Sequence, residues 1–213
     1  MPDRPLDFEA FRAAPIAEAP YPHVLVPNFV RPEALRAVVA ALPHMRNRGS
    51  FPIGAVRLGP AAQAVVHGLE GPEFRAVTAA KFGLDLQAAP LMTTLRGQST
   101  EYDGQIHADS SAKRVTILLY LNPGSGNEFA DQKGCLRLLR SETDLEDYAV
   151  EVPPVDGTLL VFPNSPTSWH GHKRFIGQRY VIQMNYMTTG GRARSELRRH
   201  QFSAFMKRLR GGA

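Results

Sequence analysis

Gln105-Ile-His107-Ala-Asp109 places an imidazole and a carboxylate two residues apart. On an extended strand, positions i and i+2 share a face, so both side chains can reach one cation. A further imidazole, His170, comes much later in Asn164-Ser-Pro-Thr-Ser-Trp-His170-Gly-His172. Two histidines and one carboxylate on one face of an ion suit non-haem iron(II), with three positions left open for a bidentate ligand and dioxygen. Taken alone, the His-x-Asp triplet is common and equally suits a structural pair. His170 and His172 lie two apart, so the strand period does not choose between them.

Arg179 strengthens the case. It opens the apolar run Tyr180-Val-Ile-Gln-Met-Asn-Tyr186, beyond a turn at Gly177. A guanidinium directed into a barrel is costly unless it meets an anion. A dicarboxylate would supply one in bidentate geometry; an ion pair at the strand mouth with Asp156 is the structural alternative. Gln183 and Asn185 share the face of Arg179 and could hydrogen-bond a ligand or neighbouring backbone. Arg96, Tyr102 and Arg114 are candidates for contacts near a mouth.

These groups need a scaffold. From about residue 90 the chain reads as short strands punctuated by Gly, Pro, Asn and Asp: 90–96, 104–109, 114–121, 135–139, 149–152, 158–162, 168–172 and 180–187. That spacing points to a sandwich or barrel rather than a parallel sheet, and eight strands with outer helices fit a jelly roll of cupin-like type. Before residue 90 the reading is mixed. A short strand at 23–30 precedes helices at 31–42, 60–69 and 72–81, with Gly83 as the stop of the last. The expected organisation is one domain over 1–213: a helical N-terminal decoration at 1–89, a catalytic core at 90–187 and a basic C-terminal helix within 188–213.

Bulk properties restrict the alternatives. The chain has 213 residues, 43% hydrophobic and 21% charged, which is ordinary globular composition. Cys135 is the single cysteine, which excludes an intramolecular disulfide and a cysteine-rich zinc site. No apolar run approaches the length of a membrane helix, and the acidic N-terminus does not resemble a signal peptide, so a cytoplasmic protein is expected. The net charge of +5 is concentrated in residues 191–213, with seven basic residues and one acid; the rest holds 18 basic against 19 acidic. A nucleic-acid or acidic-membrane role for that tail lacks an accompanying aromatic pattern. Phe202, Phe205, Met206 and Leu209 have helical spacing, so the tail is expected to dock on the barrel. No nucleic-acid partner is expected.

Residues 90–187 resemble the prolyl-4-hydroxylase-like branch of the iron(II)/2-oxoglutarate-dependent dioxygenases. Beyond the His-x-Asp, the run Arg114-Val-Thr-Ile-Leu-Leu-Tyr120-Leu-Asn122 is similar to that family's strand ending in Tyr-Leu-Asn. Gly134-Cys-Leu136-Arg-Leu138 is similar to its Gly-Gly-x-Leu-Arg strand, Val155–Phe162 to the strand before the distal histidine, and Gly177-Gln-Arg179 to its Gly-x-Arg element. The resemblance implies a double-stranded β-helix and iron(II) held by His107, Asp109 and His170. It further implies 2-oxoglutarate held at its far carboxylate by Arg179 and Tyr120, with Leu136 walling the pocket. Gln183 is a further candidate contact. The nine-residue interval to Arg179 favours His170 over His172, which then faces substrate or supports the ligands. Two features depart from the pattern: the paired histidines, and the irregular loop Pro123–Lys133. Residues 1–89 carry no transferable motif.

The implied activity is a 2-oxoglutarate-dependent non-haem iron oxygenase (EC 1.14.11 type), which uses dioxygen to hydroxylate a C–H bond and releases succinate and carbon dioxide. A small or biosynthetic substrate is the first expectation. A peptide, as in prolyl-type hydroxylation, is the second, and a cupin-like metal-binding domain without 2-oxoglutarate is the third.

Overall fold

The computed structural model describes residues 4–124, 129, 131–191 and 193–199. The elements run α1 (Phe8–Ala13), β1 (Val24–Val26), α2 (Pro32–Ala40), β2 (Phe51–Pro52), α3 (Pro60–Glu70), α4 (Pro72–Phe82) and β3 (Leu91–Ser99). There follow β4 (Lys113–Tyr120), β5 (Leu136–Leu139), β6 (Tyr148–Val152), β7 (Leu159–Pro163), β8 (His170–His172) and β9 (Gly177–Met187). Two antiparallel sheets result, a major one in the order β1-β7-β4-β9-β3-β2 and a minor one in the order β6-β5-β8.

The helices begin and end where local chemistry requires. Pro32, Pro60 and Pro72 each open a helix, a position where the missing N–H costs nothing. Gly83 closes α4 in the left-handed conformation at φ 61°. Helix α1 was not anticipated, being only six residues long; the Asp7 carboxylate caps it by accepting from the Ala10 N–H at 3.0 Å.

The central strands are covered on both sides, which explains their unbroken apolar runs. From β4, Val115, Ile117 and Leu119 face the helices and pack in one core with Phe11, Val65, Leu69 and Phe74. Alternate residues Leu118 and Tyr120 face the minor sheet and meet Leu136, Leu138, Phe162 and Val181 in a second cluster. On β9, Ile182, Met184 and Tyr186 join the helical core. Arg179, Val181 and Gln183 instead line a cavity between the sheets. This period of two sorts apolar from chemical side chains along one strand.

The first 89 residues contribute more than helices. β1 pairs with β7 and β2 pairs with β3, so both edges of the major sheet come from this part. The segment 104–109 is not the strand the sequence suggested. It makes one isolated bridge, His107 with His170, with two backbone hydrogen bonds of 3.0 Å each. Gly104 at φ 93° turns the chain before it, and a turn closed by Lys113 N–H to Ser110 O at 2.9 Å follows. The end of the chain is helical at 191 and 193–199. Residues 125–128 and 130 of the predicted loop, and 200–213 with the expected docking residues Phe202, Phe205, Met206 and Leu209, lie outside the described residues.

Asn122 pins the end of β4. Its carbonyl oxygen accepts from the Tyr180 backbone N–H at 2.7 Å, and its amide donates to Tyr180 O at 3.1 Å and to Pro154 O. Asn122 is 3% exposed, so removal leaves buried backbone groups without partners. Asn122→Ala is expected to cost about 3 kcal/mol. An unchanged urea midpoint would contradict this.

Candidate metal centre and adjoining cavity

The structure brings His107, Asp109 and His170 together: one ligand atom from each lies within 4.8 Å of the others. The bridge between His107 and His170 sets the backbone spacing, and their rings stand 4.4 Å apart. His107 Nδ1 lies 2.9 Å from Gln105 O, and His170 Nδ1 lies 2.9 Å from Ser168 O. In each case the carbonyl fixes Nδ1 as the protonated nitrogen and leaves the Nε2 lone pair for a cation. The segment before His170 is held by Trp169 O, which accepts from the Leu139 N–H at 2.9 Å and the Tyr21 hydroxyl at 3.1 Å.

Asp109 is oriented from two sides. Lys113 Nζ donates to Oδ1 at 2.5 Å, and the Thr116 hydroxyl donates to Oδ2. Thr116 also lies 3.2 Å from Asn185 Oδ1, so Asn185 sits behind the ligand. Burial alone would raise the Asp109 pKa, but the Lys113 charge, His170 and the two hydrogen bonds outweigh it and hold the carboxyl below its ordinary value. Asp109 is thereby kept in the ionised form that a divalent cation needs. Lys113 and Thr116 were missed from sequence. Thr116 carried a signal, since it shares a strand face with Leu118 and Tyr120.

His107 and His170 open on a cavity lined also by His172, Tyr120, Leu136, Arg179, Gln183 and Arg96, among others. Arg179 is buried, and its Nε donates to Gly134 O at 2.8 Å. Among the described residues its Nη2 has no hydrogen-bond partner, nor does the fully buried Tyr120 hydroxyl. The guanidinium carbon lies 5.3 Å from the centre of the Tyr120 ring. Asp156 does not neutralise Arg179; its carboxylate accepts from the Gly124 N–H at 2.8 Å. Burial, opposed by Arg179, raises the Tyr120 pKa, and burial lowers that of Arg179. A buried cation beside a buried free hydroxyl is the arrangement an anionic ligand would complete.

His172 lines the cavity without joining the triad, and its Nδ1 lies 2.8 Å from Lys173 O. Arg114 is directed elsewhere: it donates to Asp85 O on a different surface. Tyr102 is 64% exposed beneath Arg48, whose guanidinium carbon lies 5.3 Å from the ring centre.

Burial, with His107 for His170 and Arg179 for His172, brings both imidazoles from 6.5 to about 4. Between those values the unfolded chain binds more protons than the folded one. Their contribution to stability is therefore complete above about 6.5 and lost as the pH falls to about 4. The urea midpoint of chelator-treated protein should decline across that window, and His172→Gln should flatten part of the decline. A midpoint that stays constant from pH 7 to 4.5 would show that these imidazoles are not buried as neutral groups.

Residues 95–187 match the model of the 2OG-Fe(II) oxygenase superfamily. No curated protein sequence matches the chain at a significant level. Among solved structures, a Pseudomonas putida prolyl-4-hydroxylase is 16% identical with a TM-score of 0.62, over 89% of this chain and 97% of that one. A Phytophthora capsici prolyl 4-hydroxylase is 19% identical with a TM-score of 0.60, over 99% and 77%. A 2OG-Fe(II) oxygenase family oxidoreductase from Burkholderia pseudomallei is 13% identical with a TM-score of 0.54, over 88% and 93%. Likeness at these identities establishes a shared double-stranded β-helix fold. Residues 95–187, which include the strands that carry the triad, are thus similar to the 2OG-Fe(II) oxygenase superfamily.

Proposed function

We propose that the chain is an iron(II)- and 2-oxoglutarate-dependent dioxygenase in which His107, Asp109 and His170 hold the iron and Arg179 and Tyr120 hold the far carboxylate of 2-oxoglutarate. The observation that carries the cosubstrate assignment is the pair of buried donors, Arg179 Nη2 and Tyr120 OH, which have no hydrogen-bond partner among the described residues and share a cavity with His107 and His170. Iron(II) with 2-oxoglutarate and dioxygen supplies the oxidation of a C–H bond, with succinate and carbon dioxide as co-products. The protein contributes placement. Leu136 and Val181 wall the cavity with apolar surface, Gln183 offers a polar contact on the same lining, and Thr116 and Lys113 keep Asp109 turned toward the ion.

The substrate we infer is a small or biosynthetic molecule rather than a peptide. A cytoplasmic location is part of this reading; the single cysteine is a free, buried thiol, and no helix among the described residues is long and apolar enough to cross a membrane. Anaerobic addition of 2-oxoglutarate to the iron(II) protein tests the cosubstrate site, with a weak visible charge-transfer band expected. Absence of the band would remove the assignment of Arg179 and Tyr120.

A further inference from the structure

Arg96 is a second guanidinium in the cavity, and the cosubstrate reading above gives it no ligand. It stands on β3 opposite Val181, one strand away from Arg179. It is the outer of the two cations, with its side chain 33% exposed, whereas Arg179 is buried. One arm is fixed: Nη2 meets Asp103 Oδ1 at 2.7 Å. Asp103 is only 9% exposed, and its other oxygen accepts from the Thr100 N–H at 2.8 Å and the Thr100 hydroxyl at 3.0 Å. Asp103 is thus held by the Thr100 turn and orients Arg96. The remaining donors of Arg96, Nε and Nη1, have no hydrogen-bond partner among the described residues.

Gly104 shapes the floor beside it. A Cβ there would stand 2.5 Å from both His172 Nδ1 and His172 O, and the backbone sits at φ 93°. Only glycine lets the 103–107 segment close on His172, which brings Asp103, His172 and His107 to one wall. A further cation, Arg48, stacks on the exposed Tyr102 and acts on the Asp103 carboxylate. Arg96 and Arg179 place two cations in one cavity, which favours an incoming anion over a neutral chain segment.

We propose that Arg96 is a specificity-determining residue that holds a carboxylate of the substrate, so that the substrate is a small organic or amino acid presented beside His172 and the metal. This rests on the reading that Arg179 and Tyr120 hold the cosubstrate. The interior of a peptide brings no formal charge to a preset guanidinium, whereas a free carboxylate brings a charged acceptor to its open N–H groups. Asp103 acts on substrate only through Arg96 and is a positioning residue.

The experiment uses the iron(II) protein with saturating 2-oxoglutarate and the twenty L-amino acids, their primary amides and N-acetylated, C-amidated tripeptides as probes. Succinate is followed by proton NMR. Calorimetric titration of the zinc(II) protein with the same probes and 2-oxoglutarate gives binding without turnover. At least one acid should bind and raise succinate formation, its amide binding at least tenfold more weakly. Arg96→Gln should remove that preference and leave the 2-oxoglutarate affinity within twofold; Arg96→Lys should recover part of it, and Asp103→Asn should weaken the acid by less than Arg96→Gln does. Equal binding of acid and amide overturns the proposal, as does stimulation by blocked peptides alone or by no acid. Loss of 2-oxoglutarate affinity in Arg96→Gln to the extent seen in Arg179→Ala also overturns it, by making Arg96 part of the cosubstrate clamp. Absence of the charge-transfer band in the unaltered protein would instead strike at the cosubstrate assignment.

Discussion

His107→Ala is expected to abolish succinate formation and to weaken iron(II) binding by more than about 100-fold, beyond the effect of losing an outer partner of a ligand. His107 is the informative position because it is the exposed member of the triad, whereas His170 is 4% exposed. Truncating His170 would open a void beside Phe162, whose ring lies 5.3 Å away. Removing Asp109 would leave the Lys113 ammonium, itself mostly buried, without its carboxylate. Either loss confounds folding with metal affinity. With His107→Ala, the urea midpoint of the metal-free protein should stay close to that of the parent. A variant that keeps both parental iron affinity and the charge-transfer band would show that another residue completes the site, and His172 would be the first to examine.

Arg179→Ala should separate the cosubstrate from the metal. Truncating one partner of a buried charge pair costs about 2–5 kcal/mol, and about 3 kcal/mol corresponds to roughly 100-fold in affinity. The dissociation constant for 2-oxoglutarate should rise by about that factor, while iron(II) affinity measured without 2-oxoglutarate stays unchanged. Tyr120→Phe removes one neutral donor and should cost about tenfold, since the ring and its packing remain. Equal 2-oxoglutarate affinity in the Arg179→Ala and parent proteins would rule out the clamp. A matching fall in iron affinity would show that the guanidinium supports the metal site instead.

Much of this arrangement was readable in the chain. Turn residues around 114–121 and 180–187 marked both as strands, and the period of two put Arg179, Gln183 and Asn185 on one face of the second. The proline starts and Gly83 marked the helices, since backbone constraints of that kind act locally. The segment 104–109 illustrates the limit. Its His-x-Asp spacing suggested a strand, yet Gly104 and the 110–113 turn leave only one bridge, and the convergence of His107 with Asp109 comes from contacts with His170, Lys113 and Thr116. Arg96 was a candidate near the mouth, but its pairing with Asp103 was illegible for a related reason: Asp103 looks like an ordinary surface charge until the fold brings the two together. The edge strands β1 and β2 are too short to show a period, and their partners lie far along the chain.

Those long-range pairings bear on how the protein is made. Val24 waits for Val161, and Leu95 waits for Ile182, so the major sheet cannot close until most of the chain has left the ribosome. Until then the early helices have no sheet to cover and their apolar faces stay open to solvent. Local contacts alone offer little shelter during that interval, so slow folding and reliance on chaperones during synthesis follow from the strand order itself.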